Sequence, residues 1–484
     1  MKVRPGRLLL PALRWDTRQG YEAESAAIEA ALRLGVGGFS IFGGTADAVA
    51  DLTWRIQSRS DVPLLFGSDL ERGAGQQFAG ATPLPPLAAI GALEDAAATR
   101  RAGELTAREA LALGINWLYA PDADVDLEPR NPIIGTRAFG TDPSVVAGQV
   151  VAWIEGAHAA GALACVKHFP GHGRTTEDSH ATLPSVTAGR AELDLDLEPF
   201  RAAVRAGVDS VMTAHVVYPA LDPAGKAATL SAPILQQLLR GELGFNGLIV
   251  TDALIMQGIL AAGGGDEAAA SIAAVRAGCD AILYPKDLAT VGAAFEAAFR
   301  GALTEARVTE AVERLEHAAL ARPPRWGYRA REEDRSWALE IAERAVRRVR
   351  GRPSCPPDFE LLTIDDDVGG PFPAPARDAF TASLHAHGLA HRPVESTDGA
   401  RPLLIALYAD IRAWKGQPGL SATAASALRS ALAVRGDATV LLFGHPRLAE
   451  DLPGENVLAA WGGEAIMQQA AAGWLRAHAT RTVL

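Results

Sequence analysis

One pattern constrains this chain more than any other. Through its first two thirds, a short apolar run, a polar loop and an amphipathic helix follow one another again and again. The apolar runs fall at 8–10, 38–42, 62–66, 115–119, 162–166, 209–212, 248–250 and 280–284. Helical periodicity fills the gaps, over 21–34, after Thr45, and over 96–113, 143–160, 199–206, 231–239 and 266–277. Gly35, Gly114, Gly207 and Gly278 each stand just past a helical stretch and before the next run, where a left-handed residue ends a helix. The runs are continuously apolar rather than alternating, as in a sheet covered on both faces. Strand followed by helix, eight times over, predicts a parallel (β/α)8 TIM-like barrel, with a doubly wound open sheet as the rival.

The pattern breaks after two more helical stretches, 288–300 and 308–320, at Arg322-Pro323-Pro324-Arg325-Trp326-Gly327. A charged helix is predicted over about 332–350. Apolar runs at 359–364, 403–407, 439–443 and 457–460 then suit a smaller α/β/α sandwich. The expected division is a catalytic barrel over 1–325, a linker and connecting helix over 326–355, and a sandwich domain over 356–484. A chain of 484 residues is long for one compact domain, so two are expected.

The net charge of −11 argues against nucleic acid or an anionic membrane as partner. No apolar run reaches membrane-spanning length. Residues 1–7 are basic, but the apolar stretch behind them is too short for a signal sequence. Cys165, Cys279 and Cys355 form no disulfide framework and no metal spacing, which favours a reducing compartment. The expected location is cytoplasmic.

If the chain is a barrel, its chemistry lies on the loops after the strands. The polar residues there are Asp69 and Glu71, then Asp122, Asp124 and Asp126, then Arg130 and Arg137, then Lys167 and His168, then His215, then Asp252. The densest stretch is Lys167–His180, with three histidines, two acids and two basic side chains among glycines and a proline. His168 and His172 are four apart, like a helical zinc pair, but Pro170, Gly171 and Gly173 forbid the helix and the intervening Glu is missing. Gly171-His172-Gly173 lacks the spacing of a phosphate loop. Glycoside chemistry fits better. Asp252, at a strand end, is placed to attack an anomeric carbon, and a second group must protonate the leaving oxygen. Asp178 and His180 offer that group, because a carboxylate on one imidazole nitrogen orients the ring and raises its pKa. Asp69, Arg137, Lys167 and His168 suit a polyhydroxylated ring. The bland alternative for Asp178-Ser179-His180 is a solvated turn, and His445 reads as structural or solvent-facing.

The motif Lys167–Gly173 followed by Asp178-Ser179-His180 resembles the KHFPGHG…DSH signature of bacterial β-N-acetylglucosaminidases of glycoside hydrolase family 3. Three further segments resemble that family in the same order: 130–139, 209–215 and 243–254. The resemblance implies a retaining mechanism with Asp252 as nucleophile and His180, paired with Asp178, as acid/base. It implies sugar contacts from Asp69, Arg137, Lys167 and His168, and no metal or organic cofactor. The substrate it implies is a GlcNAc-containing, muropeptide-like cell-wall fragment, cleaved during peptidoglycan recycling. One position departs: the family's second arginine in the segment after the third strand is Gln77, which opens a relaxed or different sugar specificity. Two other classes stand beside the hydrolase. One is a phosphorylase, since an imidazole base does not repel phosphate. The other is a catalytically silent sugar-binding protein.

Overall fold

The computed structural model describes residues 4–179, 182–262, 265–353, 356–367, 374–397, 399–411, 415 and 418–478. The chain forms two compact units. The first comprises Met1–Pro83, Ala96–Leu127 and Gly140–Arg331; the second comprises Leu84–Asp95, Glu128–Phe139 and Glu332–Leu484.

The first unit is a closed parallel barrel. Its strands are β1 (Leu9–Leu10 and Ala12–Arg14, broken at Pro11), β2 (Gly38–Phe42), β3 (Leu65–Ser68), β4 (Trp117–Leu118), β5 (Leu163–Phe169), β6 (Ser210–Thr213), β7 (Leu248–Thr251) and β8 (Ile282–Leu283). Neighbours pair in sequence order from β1 to β7. Closure is made by the Val250–Ala281 bridge between β7 and the start of β8, and by Leu9–Ile282 and Leu10–Leu283 between β8 and β1. A doubly wound sheet has two edges; this ring has none, so the rival fold is ruled out. The break at Pro11 follows from its missing N–H, and its carbonyl still accepts from Ser40 N at 2.9 Å.

The helices that space the strands carry their own stop signals. Helix Pro143–Ala160 starts with Asp142, whose carboxylate accepts from Ser144 N and Val145 N, and ends at Gly161 with φ 97°. Such an N-cap contributes about 1 kcal/mol. The interior is dense and partly polar: Ser40 meets Tyr119 Oη at 2.7 Å, and Trp117 Nε1 donates to Ser210 Oγ at 2.7 Å. At Gly67 a Cβ would lie 2.1 Å from Tyr119 Oη, so a side chain there would displace that ring.

Several boundaries differ from the sequence reading. The third strand is Leu65–Ser68 rather than 62–66, because Gln57 takes Leu64 N and Val62 O out of the sheet. The fifth runs on to Phe169, which puts Lys167 and His168 in the strand itself. The stretch expected as a helix over 231–239 is a π-helix, Pro233–Glu242.

The second unit holds a six-stranded sheet. Its strands are β9 (Arg347–Arg350), β10 (Asp358–Asp365), β11 (Ala390–Val394), β12 (Leu403–Tyr408), β13 (Thr439–Phe443) and β14 (Asn456–Ala459). The order is β9-β14-β13-β12-β10-β11, parallel except for β9. Alternate residues feed two cores: Leu404, Ala406 and Tyr408 pack with Phe380 and Leu475, while Leu403, Ile405 and Leu407 pack with Leu428 and Leu432. Burying each Leu or Ile stabilises by about 1.5–3 kcal/mol, and helices cover both faces. The single helix expected over 332–350 ends at Ala345, whose carbonyl accepts from Trp461 Nε1 at 2.7 Å; Arg347–Arg350 then pairs antiparallel with β14. The unexpected strand β11 contains Pro393, which fits its place at the sheet edge. Among the described residues, no helix is long and apolar enough to cross a membrane.

Candidate active site

The carboxyl ends of the barrel strands carry polar residues that the sequence pointed to. Lys167 on β5 is 2% exposed, and its Nζ reaches Asp69 Oδ1 at 2.8 Å and Glu71 Oε1 at 2.7 Å, both in the loop after β3. One cation thus holds two acids, and Glu71 is itself buried. His168 is next on the strand, across a cis peptide bond. Its Nδ1 lies 2.7 Å from Asp124 Oδ2, in the loop after β4. Burial raises the Asp124 pKa, but the charge and hydrogen bond of His168, with those of His172, more than offset this and hold it below the ordinary range. An ionised carboxylate only accepts, so His168 Nδ1 is the donor and the ring orientation is fixed. Asp124 Oδ1 also accepts from His168 N at 3.2 Å and His172 N at 2.6 Å.

The described part of the loop after β5 is pinned. His172 is buried, with Nδ1 2.9 Å from Thr175 Oγ1 and Nε2 3.0 Å from Ser179 Oγ. Tyr218 Oη donates to Gly171 O at 2.7 Å. At Gly173 a Cβ would sit 1.6 Å from Val125 O, so only glycine allows this approach to the β4 loop. Arg174 Nε donates to Asp196 Oδ2 at 2.7 Å. Burial pushes the Asp196 carboxyl up to about 6 despite that arginine, and its buried Oδ1 has no hydrogen-bond partner among the described residues. Asp178 accepts from Thr182 N through its carbonyl at 3.0 Å. His180 lies outside the described residues.

Asp252 follows β7, and its Oδ1 accepts from Ala253 N at 2.7 Å. Tyr284 stands just after β8. Burial drives its hydroxyl pKa well up, and Asp69, Tyr119 and Asp252 push the same way, so the hydroxyl stays protonated. Arg137 sits in a 3-10 turn, Gly135–Arg137, on the segment Glu128–Phe139 of the second unit. The barrel rim thus brings together Asp69, Lys167 and His168, with Asp252 on the same end.

Glu71 and Asp124 were visible only as acids after strands; the structure makes them the partners of Lys167 and His168. Their signal was position, a carboxylate within six residues of a strand end. Asp196 gave no such signal, because it lies on a helix, Arg190–Asp196. Asp122, Asp124 and His168 each offer one ligand atom, all within 4.8 Å of one another, in a buried cluster. His172, the other half of the zinc pair considered from sequence, spends its nitrogens on Thr175 and Ser179. A cavity of about 550 Å³ lies elsewhere, beside Arg4, Arg7 and Glu316 at the amino ends of the strands.

Residues 31–318 match the glycosyl hydrolase family 3 N-terminal domain, well over half of the chain. The chain belongs to glycoside hydrolase family 3. Among family members, a Cellulomonas fimi protein named beta-N-acetylglucosaminidase/beta-glucosidase is 37% identical over 294 residues, which are 58% of this chain and 52% of that protein. This chain therefore spans about half the length of that relative. A beta-hexosaminidase of Stenotrophomonas maltophilia (strain K279a) is 41% identical over 243 residues, covering 49% of this chain and 71% of the relative. The solved structure of a family 3 beta-N-acetylglucosaminidase from Paenibacillus sp. str. FPU-7 superposes with a TM-score of 0.86 at 28% identity, covering 99% of this chain and 97% of that one.

Proposed function

We propose that this glycoside hydrolase is a retaining, exo-acting β-N-acetylglucosaminidase that releases terminal GlcNAc from cell-wall-derived fragments. The observation that carries the reading is the rim itself. Lys167 on Asp69 and His168 on Asp124 form a rigid strand-end grip, on the barrel end that also carries Asp252. In this reading Asp252 attacks the anomeric carbon while His180, oriented by Asp178, gives its proton to the departing oxygen. The glycosyl ester on Asp252 is then cleaved by water, which His180 deprotonates. Asp69, Arg137, Lys167 and His168 bind sugar hydroxyls. The names of the Cellulomonas and Stenotrophomonas relatives support GlcNAc as the sugar. The reading includes a cytoplasmic role in peptidoglycan recycling, and a division into barrel (1–325), connector (326–355) and sandwich (356–484).

A second sugar is favoured by one position. Gln77 stands where the family carries arginine, and a neutral amide after β3 discriminates less between an N-acetyl and a hydroxyl substituent than a fixed cation. The test is a panel of aryl β-glycosides of GlcNAc, glucose and xylose, assayed with and without phosphate. The expected result is fastest release from the GlcNAc glycoside, measurable release from the glucoside, and free sugar as product in both buffers. Sugar 1-phosphate formed in phosphate buffer would make the enzyme a phosphorylase. No turnover of any member would leave it a sugar-binding protein.

A further inference from the structure

The imidazole of His215 has no part in the chemistry above, yet it reaches the peptide that follows the nucleophile. His215 comes two residues after β6 and is fully buried. Its Nε2 lies 3.1 Å from Ala253 O, and its Nδ1 lies 2.7 Å from Thr229 Oγ1. A carbonyl only accepts, so Nε2 carries a proton and donates. Thr229 is itself fixed, donating to Ala214 O at 3.0 Å and sitting 2.8 Å from Thr213 Oγ1. The ring is therefore held by the backbone and hydroxyls of the β6 end.

The same turn is fastened on its other side by β8. Thr251 N donates to Ala281 O at 3.1 Å, Leu283 N donates to Thr251 Oγ1 at 3.1 Å, and Leu254 N approaches Leu283 O at 3.4 Å. Ala253 N, in the 252–253 peptide, donates to the Asp252 carboxylate at 2.7 Å and helps to aim it. The Ala253 carbonyl belongs to the next peptide, joined to the first at the Ala253 Cα. Without His215 that carbonyl loses its clamp from the β6 side, and the 253–254 peptide is left with the 3.4 Å contact of Leu254 N, so the turn that sets the direction of the Ala253 N–H is less constrained.

We infer that His215 is a positioning residue for Asp252. It fixes the Ala253 carbonyl, and through the Ala253 Cα it restrains the neighbouring peptide whose N–H holds the carboxylate that attacks the sugar. This rests on Asp252 as nucleophile. The step it serves is balanced: an Asp252 oxygen forms a bond to C1, the C1–oxygen bond of an aryl glycoside breaks, and the aryl oxide departs with that bond's electron pair. A misplacement of about 1 Å costs such a step on the order of 100-fold.

The test compares His215→Phe, which keeps a ring but no donor, with His215→Gln, whose amide nitrogen replaces Nε2. A fluorinated aryl glycoside that forms the glycosyl-enzyme but hydrolyses slowly is the probe. The readouts are the rate of labelling, the labelled peptide, and thermal unfolding of each variant. The wild type should label on Asp252; labelling elsewhere would defeat the nucleophile assignment rather than the role of His215. Given that label, the Phe variant should label on the order of 100-fold more slowly with KM little changed, and the Gln variant should recover most of the rate. A folded Phe variant that labels at the wild-type rate would overturn the inference. So would a folded Gln variant no faster than Phe.

Discussion

Asp252→Ala is expected to lower turnover of an activated aryl β-glycoside of GlcNAc by roughly 10⁴-fold or more, the scale seen when a group essential to a covalent step is removed. An activated leaving group needs little acid assistance, so the loss isolates the attacking carboxylate from the acid. The variant should fold. Asp252 is only half-buried, and one carboxylate bond it gives up is to the next residue's own N–H. The cavity left by the side chain also admits a small anion. Adding azide should restore part of the rate and yield the α-glycosyl azide, because the anion attacks from the face Asp252 vacates. The checks are steady-state kinetics and product analysis by NMR. A folded variant that keeps about a tenth of wild-type turnover would remove Asp252 as nucleophile.

The second large effect is on stability. Asp280 precedes β8, is fully buried, and serves as a hub for the amino end of the barrel. Its Oδ1 meets Arg307 Nη2 at 2.6 Å and Arg314 Nη1 at 3.2 Å; its Oδ2 meets Arg240 Nη2 at 2.7 Å and Ile249 N at 2.9 Å. The three arginine side chains are only 11–23% exposed. Removing the carboxylate leaves cations with reduced access to water and orphans a strand N–H. Breaking such an arrangement costs about 3–5 kcal/mol, which for a unit of this size is a fall in Tm on the order of 10 °C. Asp280→Ala should show this by calorimetry, with Asp280→Asn losing less because its amide oxygen can still accept from Ile249 N. A Tm within about 2 °C of wild type would contradict the hub. Activity well below Tm should survive, since these arginines lie at the end of the strands opposite Asp252.

The barrel was legible because its signal is periodic. Eight apolar runs and four helix-ending glycines read correctly, and each is a local property of the chain. What escaped was non-local. Pairing between β8 and β1 closes the ring, and no spacing in the sequence reports it. The extension of β5 to Phe169 was hidden because Lys167 and His168 look like loop residues until Asp69, Glu71 and Asp124 are seen to satisfy them. Arg347–Arg350 read as helix since its charge matched the helix before it, whereas its partner, Asn456–Ala459, lies more than a hundred residues away. Asp69, Lys167, His168 and Asp252 were named from strand ends and resemblance together, and the structure puts all four on one end of the barrel. Glu71 and Asp124 were seen as acids without roles, because a partner's identity depends on three-dimensional neighbours. The role of Gly173 was equally hidden, because its close approach to Val125 O is a contact with the loop after another strand.

The central claim is a double displacement through an enzyme-bound sugar, and the configuration of the first product tests it most directly. Proton NMR during hydrolysis of an aryl β-glycoside of GlcNAc in phosphate-free buffer should show the β-anomer of free GlcNAc first, with the α-anomer growing in only by mutarotation. The α-anomer appearing first would mean a single displacement by water, and would contradict the covalent role given to Asp252.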